Sequence, residues 1–190
     1  MAKDDQQEAY EKLMAANLAR VLDFLKFAEA KNAALVTFSS AWILGSIGLL
    51  ASDKKLPTGF DSALKLDIVL LGGAALFAFA AILPKITVSD FTGTAAPTDN
   101  RNLLYFGHIA ELDSEALKDR FKRLYMPEAE KSATDSYLDD LAEQIVVNSQ
   151  IARRKFRLFD WGARLAAVAL LALLWPAVWQ VGAWIWSACK

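Results

Sequence analysis

The chain has 190 residues, enough for one domain with an appendage, and 55% of them are hydrophobic, with a mean hydropathy of +0.24. A formal net charge of −1 argues against a general nucleic-acid binder, because nothing draws the whole molecule toward phosphate, although a local basic patch is compatible with it. The single cysteine, Cys189, rules out an internal disulfide, and no Cys/His cluster has zinc-ligand spacing, so neither a metal nor a cofactor is expected.

The start, "MAKDDQQEAYEKL", is polar and lacks the apolar core of a signal peptide, so cleavage and export are not expected. Residues 1–32 read as a cytoplasmic amphipathic stalk. Tyr10, Leu13, Met14, Asn17, Val21, Phe24, Leu25 and Ala28 approximate a heptad seam with a polar break at Asn17. No proline or glycine intervenes before Gly45, so the stalk is expected to run straight into a membrane span, over roughly 40 residues or about 60 Å.

Three uncharged apolar runs are long enough to cross a bilayer core of about 30 Å. They are residues 33–52, 68–84 and 165–189. An outside loop, 53–67, separates the first two. Arg153, Arg154, Lys155, Arg157 and Arg164 precede the third run and only Lys190 follows it, which puts its N-terminal end in the cytoplasm. Lys54, Lys55 and Lys65 in the outside loop are outweighed. The N-terminus and residues 85–164 are then cytoplasmic and the C-terminus lies outside. Trp161, Trp184 and Trp186 occupy positions suited to the two interfaces, and Pro176 predicts a kink in the third span.

Gly45 and Gly48 in the first span, and Gly72, Gly73, Ala74, Ala75, Ala78 and Ala81 in the second, allow close helix approach. Gly45 and Gly73 are thereby expected at subunit contacts. Thr37, Ser39, Ser40 and Ser46 either line a water-filled path or bond to their own helix carbonyls. No ionisable residue falls inside the three expected spans, which argues against proton-coupled transport.

Residues 85–164 read as a small helical cytoplasmic sensor domain. Residues 89–100, "SDFTGTAAPTDN", form a turn-rich loop. A helix then follows, capped by Asp113 and stopped by Pro127. A second helix, with Ser136 and Asp139 spaced as a capping box, carries Leu138, Leu141, Ile145, Ile151 and Leu158 as an apolar stripe and continues into the third span. The expected fold is an all-α membrane protein with three transmembrane helices and a small helical cytoplasmic domain. That domain is too small for a large private core, so a homo-oligomer is expected. Enzymatic readings fail for want of a glycine-rich phosphate loop or a nucleophile–base arrangement, and Asp139, Asp140 and Glu143 read as a solvated helix face.

The order "RVLDFLKFAEAKNAALVTF", two spans, "NLLYFGHIAEL", "DLAEQIVVNSQIARRKFRLF" and a final span resembles the Pycsar effector family, over roughly residues 20–185. The most specific part is the "NLLYFGHI" block paired with the downstream "L..QI...S.IA..K" helix. Glu29 stands where the family pattern leads one to expect aspartate, and it keeps the charge. The resemblance implies an anti-phage effector of the bacterial inner membrane that forms a pore or otherwise disrupts the membrane. Its control would come from a nucleotide signal made by a neighbouring cyclase or nucleotidyltransferase, either a cyclic pyrimidine nucleotide or an oligonucleotide. The expected partners are that nucleotide, membrane lipid and further copies of the chain. A non-conducting membrane scaffold is the alternative.

With that implication, "NLLYFGHIAEL" at 102–112 has two readings. As a nucleotide pocket, Asn102 reads a base edge, Tyr105 or Phe106 stacks on the ring, and His108 or Arg101 meets phosphate. As a packing turn, Gly107 permits close approach and the aromatics fill the bundle core, which the helical spacing of Leu103, Leu104, Phe106, Ile109 and Leu112 favours for Phe106. Arg153, Arg154, Lys155 and Arg157 either anchor a span at anionic headgroups or form a phosphate-binding ring about an oligomer axis.

Overall fold

The structure is a computed structural model that describes residues 3–83, 102–128 and 131–188, and within them every regular element is helical. In chain order these are α1 (Lys3–Leu50), α2 (Phe60–Ile82), α3 (Phe106–Ile109), α4 (Ser114–Tyr125) and α5 (Asp135–Ala188). α1, α2 and α5 are each long and apolar enough to cross a membrane. α1 is one helix of 48 residues, and α5, at 54 residues, runs on through Pro176. The absence of helix breakers in α1 has the expected consequence.

The covered face of α1 has a different phase from the expected seam. Gln7, Glu11, Met14, Leu18, Val21, Leu25, Ala28, Asn32, Leu35 and Ser39 lie on it at alternating steps of four and three, and Ser46 follows one heptad after Ser39, past the exposed Trp42. Tyr10, Leu13, Asn17 and Phe24 are exposed, so Asn17 is no break in the seam. The run of large apolar residues misleads here, because Tyr10, Leu13 and Phe24 fall outside the four–three spacing that the covered positions keep. α5 follows the same rule through Leu141, Ile145, Asn148, Ala152, Lys155, Phe159, Gly162, Ala166 and Ala169, with Ile151 exposed. So does α2, through Leu64, Asp67, Leu71, Ala74, Ala78 and Ala81.

The chain divides into two compact units. One contains α1 as far as Lys26, together with α3, α4 and α5 as far as Ala152. Asp113 caps α4 as expected, its Oδ1 accepting from the Glu115 and Ala116 N–H groups at 3.0 and 2.8 Å. α4 stops at Tyr125, one residue before extended Met126 and two before Pro127. The cap of α5 is Thr134 and not Ser136. The Thr134 hydroxyl accepts from the Tyr137 N–H at 3.2 Å and donates to the Leu124 carbonyl at 2.5 Å, so one side chain closes the ends of two helices. Phe121, Tyr125 and Tyr137 pack edge to face, and Gln7 Nε2 donates to the Ala133 carbonyl at 2.7 Å.

The other unit contains α1 from Phe27, α2, and α5 from Arg153. Its core is Leu35, Leu71, Ala74, Ala78, Ala166 and Ala169, with Ile43, Leu70, Phe159 and Leu165 packed around them. α2 starts at Phe60, well ahead of the expected Ile68. The turn before it is set by Gly59 at φ 90°, a left-handed conformation that favours glycine. The charge at Asp67 looked like the edge of a span. It lies instead inside the helix and is fully buried, and Ser46 Oγ donates to it at 2.9 Å. Asp67 is thus an ionisable residue inside a helix long and apolar enough to span, just ahead of the expected run 68–84, and a serine on the facing helix shelters its carboxyl.

Small residues set how closely these helices meet. A Cβ at Gly162 would stand 2.8 Å from Leu35 Cδ2 and 3.0 Å from the Ala74 carbonyl oxygen, so three helices converge on a missing side chain. Gly73 faces Leu165 of its own chain at 3.1 Å, whereas Gly45, Gly48 and Gly72 face open space. Gly162→Val is expected to destabilise the protein by about 1–3 kcal/mol through overpacking. The check is the unfolding midpoint in detergent, beside Gly182→Ala, whose added methyl group meets nothing within 4 Å.

Candidate functional site

The 102–112 block is built around Asn102. Its Nδ2 donates to the Asp140 carbonyl at 2.8 Å and to Glu143 Oε2 at 2.7 Å, while its Oδ1 accepts from the Leu104 N–H at 2.8 Å. That last bond is an Asx turn, the reason asparagine suits a chain reversal here. The amide is buried and every one of its polar groups is engaged. Asp140 is the second hub. Its Oδ2 accepts from the Leu103 N–H at 3.1 Å and from the Tyr125 hydroxyl. Burial, followed by that bond to a carboxylate, pushes the Tyr125 hydroxyl well above its ordinary range. Asp140 and Glu143 thus do more than form a solvated helix face: they pin the block to α5.

Leu103 fills the space beneath and is nearly inaccessible. The aromatics do not. Phe106 is 77% exposed and Tyr105 is exposed beside it, which corrects the expectation that Phe106 packs into the core. The reason is the length of α3, a single turn of four residues, in which no second turn exists to carry the apolar spacing inward. Tyr105 lies tilted against Phe106, with ring centroids 4.9 Å apart, and edge-on to His108 at 5.0 Å. His108 Nδ1 stands 3.2 Å from the Asn102 carbonyl oxygen, which only accepts, so Nδ1 carries the proton in that contact. A Cβ at Gly107 would meet Tyr105 Cε1 at 2.6 Å, so glycine leaves room for the ring to lie across the turn.

The residues of the block divide between its inside and its outside. Asn102 and Leu103 hold the turn, and Tyr105, Phe106 and His108 form an aromatic ledge on its outside. Such a ledge offers π faces and an imidazole to a planar ligand. Arg101 lies outside the described residues.

The four basic candidates on α5 also divide. Arg153, Arg154 and Arg157 are exposed and share a helix face. Lys155 turns inward, and its Nζ meets Glu29 Oε1 at 2.7 Å, while its carbonyl accepts from Asn32 Nδ2 at 3.3 Å. Nearby, Lys31 Nζ sits over the Phe27 and Phe159 rings at 4.6 and 5.2 Å. Heptad phase is the signal that separates Lys155 from its neighbours. Among the described residues no group of three or more His, Cys, Asp or Glu side chains is placed to hold a metal ion.

The family model of the Pycsar effector protein domain matches residues 13–182, which takes in α2, α3 and α4 whole and most of α1 and α5. The Pycsar effector protein RsPycTM of Rhizobium sp. is 41% identical over 165 residues, 87% of this chain and 93% of that protein. No solved structure matches the chain.

Proposed function

The chain belongs to the Pycsar effector family, whose members are effectors of anti-phage defence, and on that premise we propose that it is a nucleotide-controlled effector that forms a pore in the bacterial inner membrane. α1, α2 and α5 are its three spans. The N-terminus and the sensor domain, residues 85–164, face the cytoplasm, and the C-terminus faces outward. Copies of the chain assemble in the membrane, with the open glycine face at Gly45 and Gly48 as their contact.

The signal is a cyclic pyrimidine nucleotide from a neighbouring cyclase. Its base stacks on Tyr105 and Phe106, and its phosphate is met by His108 and Arg101. Arg153, Arg154 and Arg157 hold the anionic headgroups at the cytoplasmic interface. Asn102 acts from beneath as the residue that positions the ledge. One observation carries this reading: α1 and α5 each keep a single heptad seam from their polar ends into their membrane-length ends. A ligand that favours one arrangement of the polar ends can act on the other ends only through these two continuous helices.

The test is the current of purified protein in a planar bilayer, with cyclic UMP, cyclic CMP and short oligonucleotides added in turn. The expected result is conductance that a cyclic pyrimidine nucleotide switches. Silence from demonstrably inserted protein would move the assignment to a non-conducting scaffold. A reporter fused after Lys190 should meanwhile signal the periplasm, and a cytoplasmic signal would reverse the orientation.

A further inference from the structure

The heptad seam of α1 changes character along its length. One of its two repeating positions reads Glu11, Leu18, Leu25, Asn32, Ser39 and Ser46, so it turns from leucine to polar residues on entering the part long and apolar enough to span. This inverts the usual relation between a helix core and its surroundings. The last three side chains are buried, Asn32 and Ser39 completely, and Ser46 meets the equally buried Asp67 of α2.

The buried groups are under-satisfied. Asn32 Oδ1, Ser39 Oγ and Asp67 Oδ1 have no hydrogen-bond partner among the described residues. Asp67 has no basic partner among the described residues either, since Lys65 beside it on α2 is paired with Asp61 at 2.8 Å in an exposed ion pair. By contrast, the outward faces carry Trp42, Leu44, Ile47, Leu76, Leu171 and Trp175, which suit lipid. Small size explains a serine between close helices. It does not explain a buried carboxyl, and an ionisable group inside a span is functional by default because its burial is costly.

We propose that this seam lines the conducting path when the effector opens, and that Asp67 makes the path selective for cations. The inference rests on the pore reading given above and adds which helix face lines the pore and which ions pass. Asn32 and Ser46 lie about 21 Å apart along α1, so the seam extends over most of a bilayer core with Ser39 midway. Asp67 stands about 10 Å inside α2 from Phe60, toward the outer mouth. Once hydrated, its carboxylate concentrates cations and repels anions, as acidic rings do in cation channels.

The experiment measures reversal potentials in a KCl gradient across a planar bilayer, with cyclic UMP or cyclic CMP as the activator. Wild type is compared with Asp67→Asn and Ser39→Leu. Asparagine keeps the volume and the acceptor for Ser46, and an unchanged size and unfolding midpoint in detergent establish that the variant folds. Wild type should pass K+ in preference to Cl−. Asp67→Asn should lower that permeability ratio several-fold toward unity while still conducting, and Ser39→Leu should cut the conductance severalfold. An Asp67→Asn channel with unaltered selectivity, or an anion-selective wild type, would reduce Asp67 to helix-to-helix glue and overturn the inference while the pore stands. A wild type that inserts and never conducts removes the pore reading itself, and the inference with it.

Discussion

Asp140→Ala should lower the stability of the unit containing α3 and α4 by about 2–3 kcal/mol, because the Leu103 N–H and the Tyr125 hydroxyl both lose their acceptor. Leu103 is nearly inaccessible, so its amide finds no replacement in water without local opening. Asp140→Asn retains an acceptor oxygen and should cost about half as much. The loss should appear as faster amide exchange through residues 102–125, with α2 unaffected. Equal exchange in wild type and Asp140→Ala would mean that Leu103 and Tyr125 are held by other groups.

The same contact predicts a response to alkali. A free tyrosine loses its proton near pH 10, whereas Tyr125 keeps its proton well above that, held by burial and by Asp140. Above about pH 10 the unfolded chain therefore binds fewer protons than the folded one, and stability falls as pH rises. Below that pH the contribution is complete and constant. Tyr125→Phe should flatten the alkaline limb while leaving the neutral region lower by about 1 kcal/mol. Superimposable alkaline profiles would rule out a held hydroxyl.

What the sequence made legible was local. Three apolar runs, the Asp113 cap, the Pro127 stop and the absence of breakers in α1 each depend on residues a few positions apart, and each has its counterpart in the structure. The features that escaped depend on partners far along the chain. Asn102 is bound by Asp140 and Glu143, which lie 38 and 41 residues away, and nothing near Asn102 announces them. Asp67 looked like a boundary because its shelter, Ser46, lies on another helix. Thr134 displaced Ser136 as a cap because Leu124 supplies a carbonyl for its hydroxyl to bond. The phase of the α1 seam was hidden for a different reason: Tyr10, Leu13 and Phe24 are large and apolar, yet exposed, and composition alone weights them heavily.

The exposure of Phe106 is the correction with the largest functional consequence. A large ring held out from its own unit has little to lose on truncation, so Phe106→Ala should change stability by less than about 0.5 kcal/mol. If it stacks on a nucleotide base, the same change should weaken binding by about 1–3 kcal/mol, or roughly 5- to 150-fold. Tyr105→Ala should do likewise, with a small additional structural effect from its contacts with Phe106 and His108. Phe106→Trp should retain affinity, because any large π face serves. Calorimetric titration of the detergent-solubilised variants with cyclic UMP and cyclic CMP separates the terms. A pocket that uses the ledge loses affinity in both alanine variants, at an unchanged unfolding midpoint in Phe106→Ala and a slightly lowered one in Tyr105→Ala. Wild-type affinity in Phe106→Ala and Tyr105→Ala would mean that the nucleotide binds elsewhere and that the exposed rings meet another surface. That surface would have to be apolar, since Phe106 offers no hydrogen bond and gains only by leaving water.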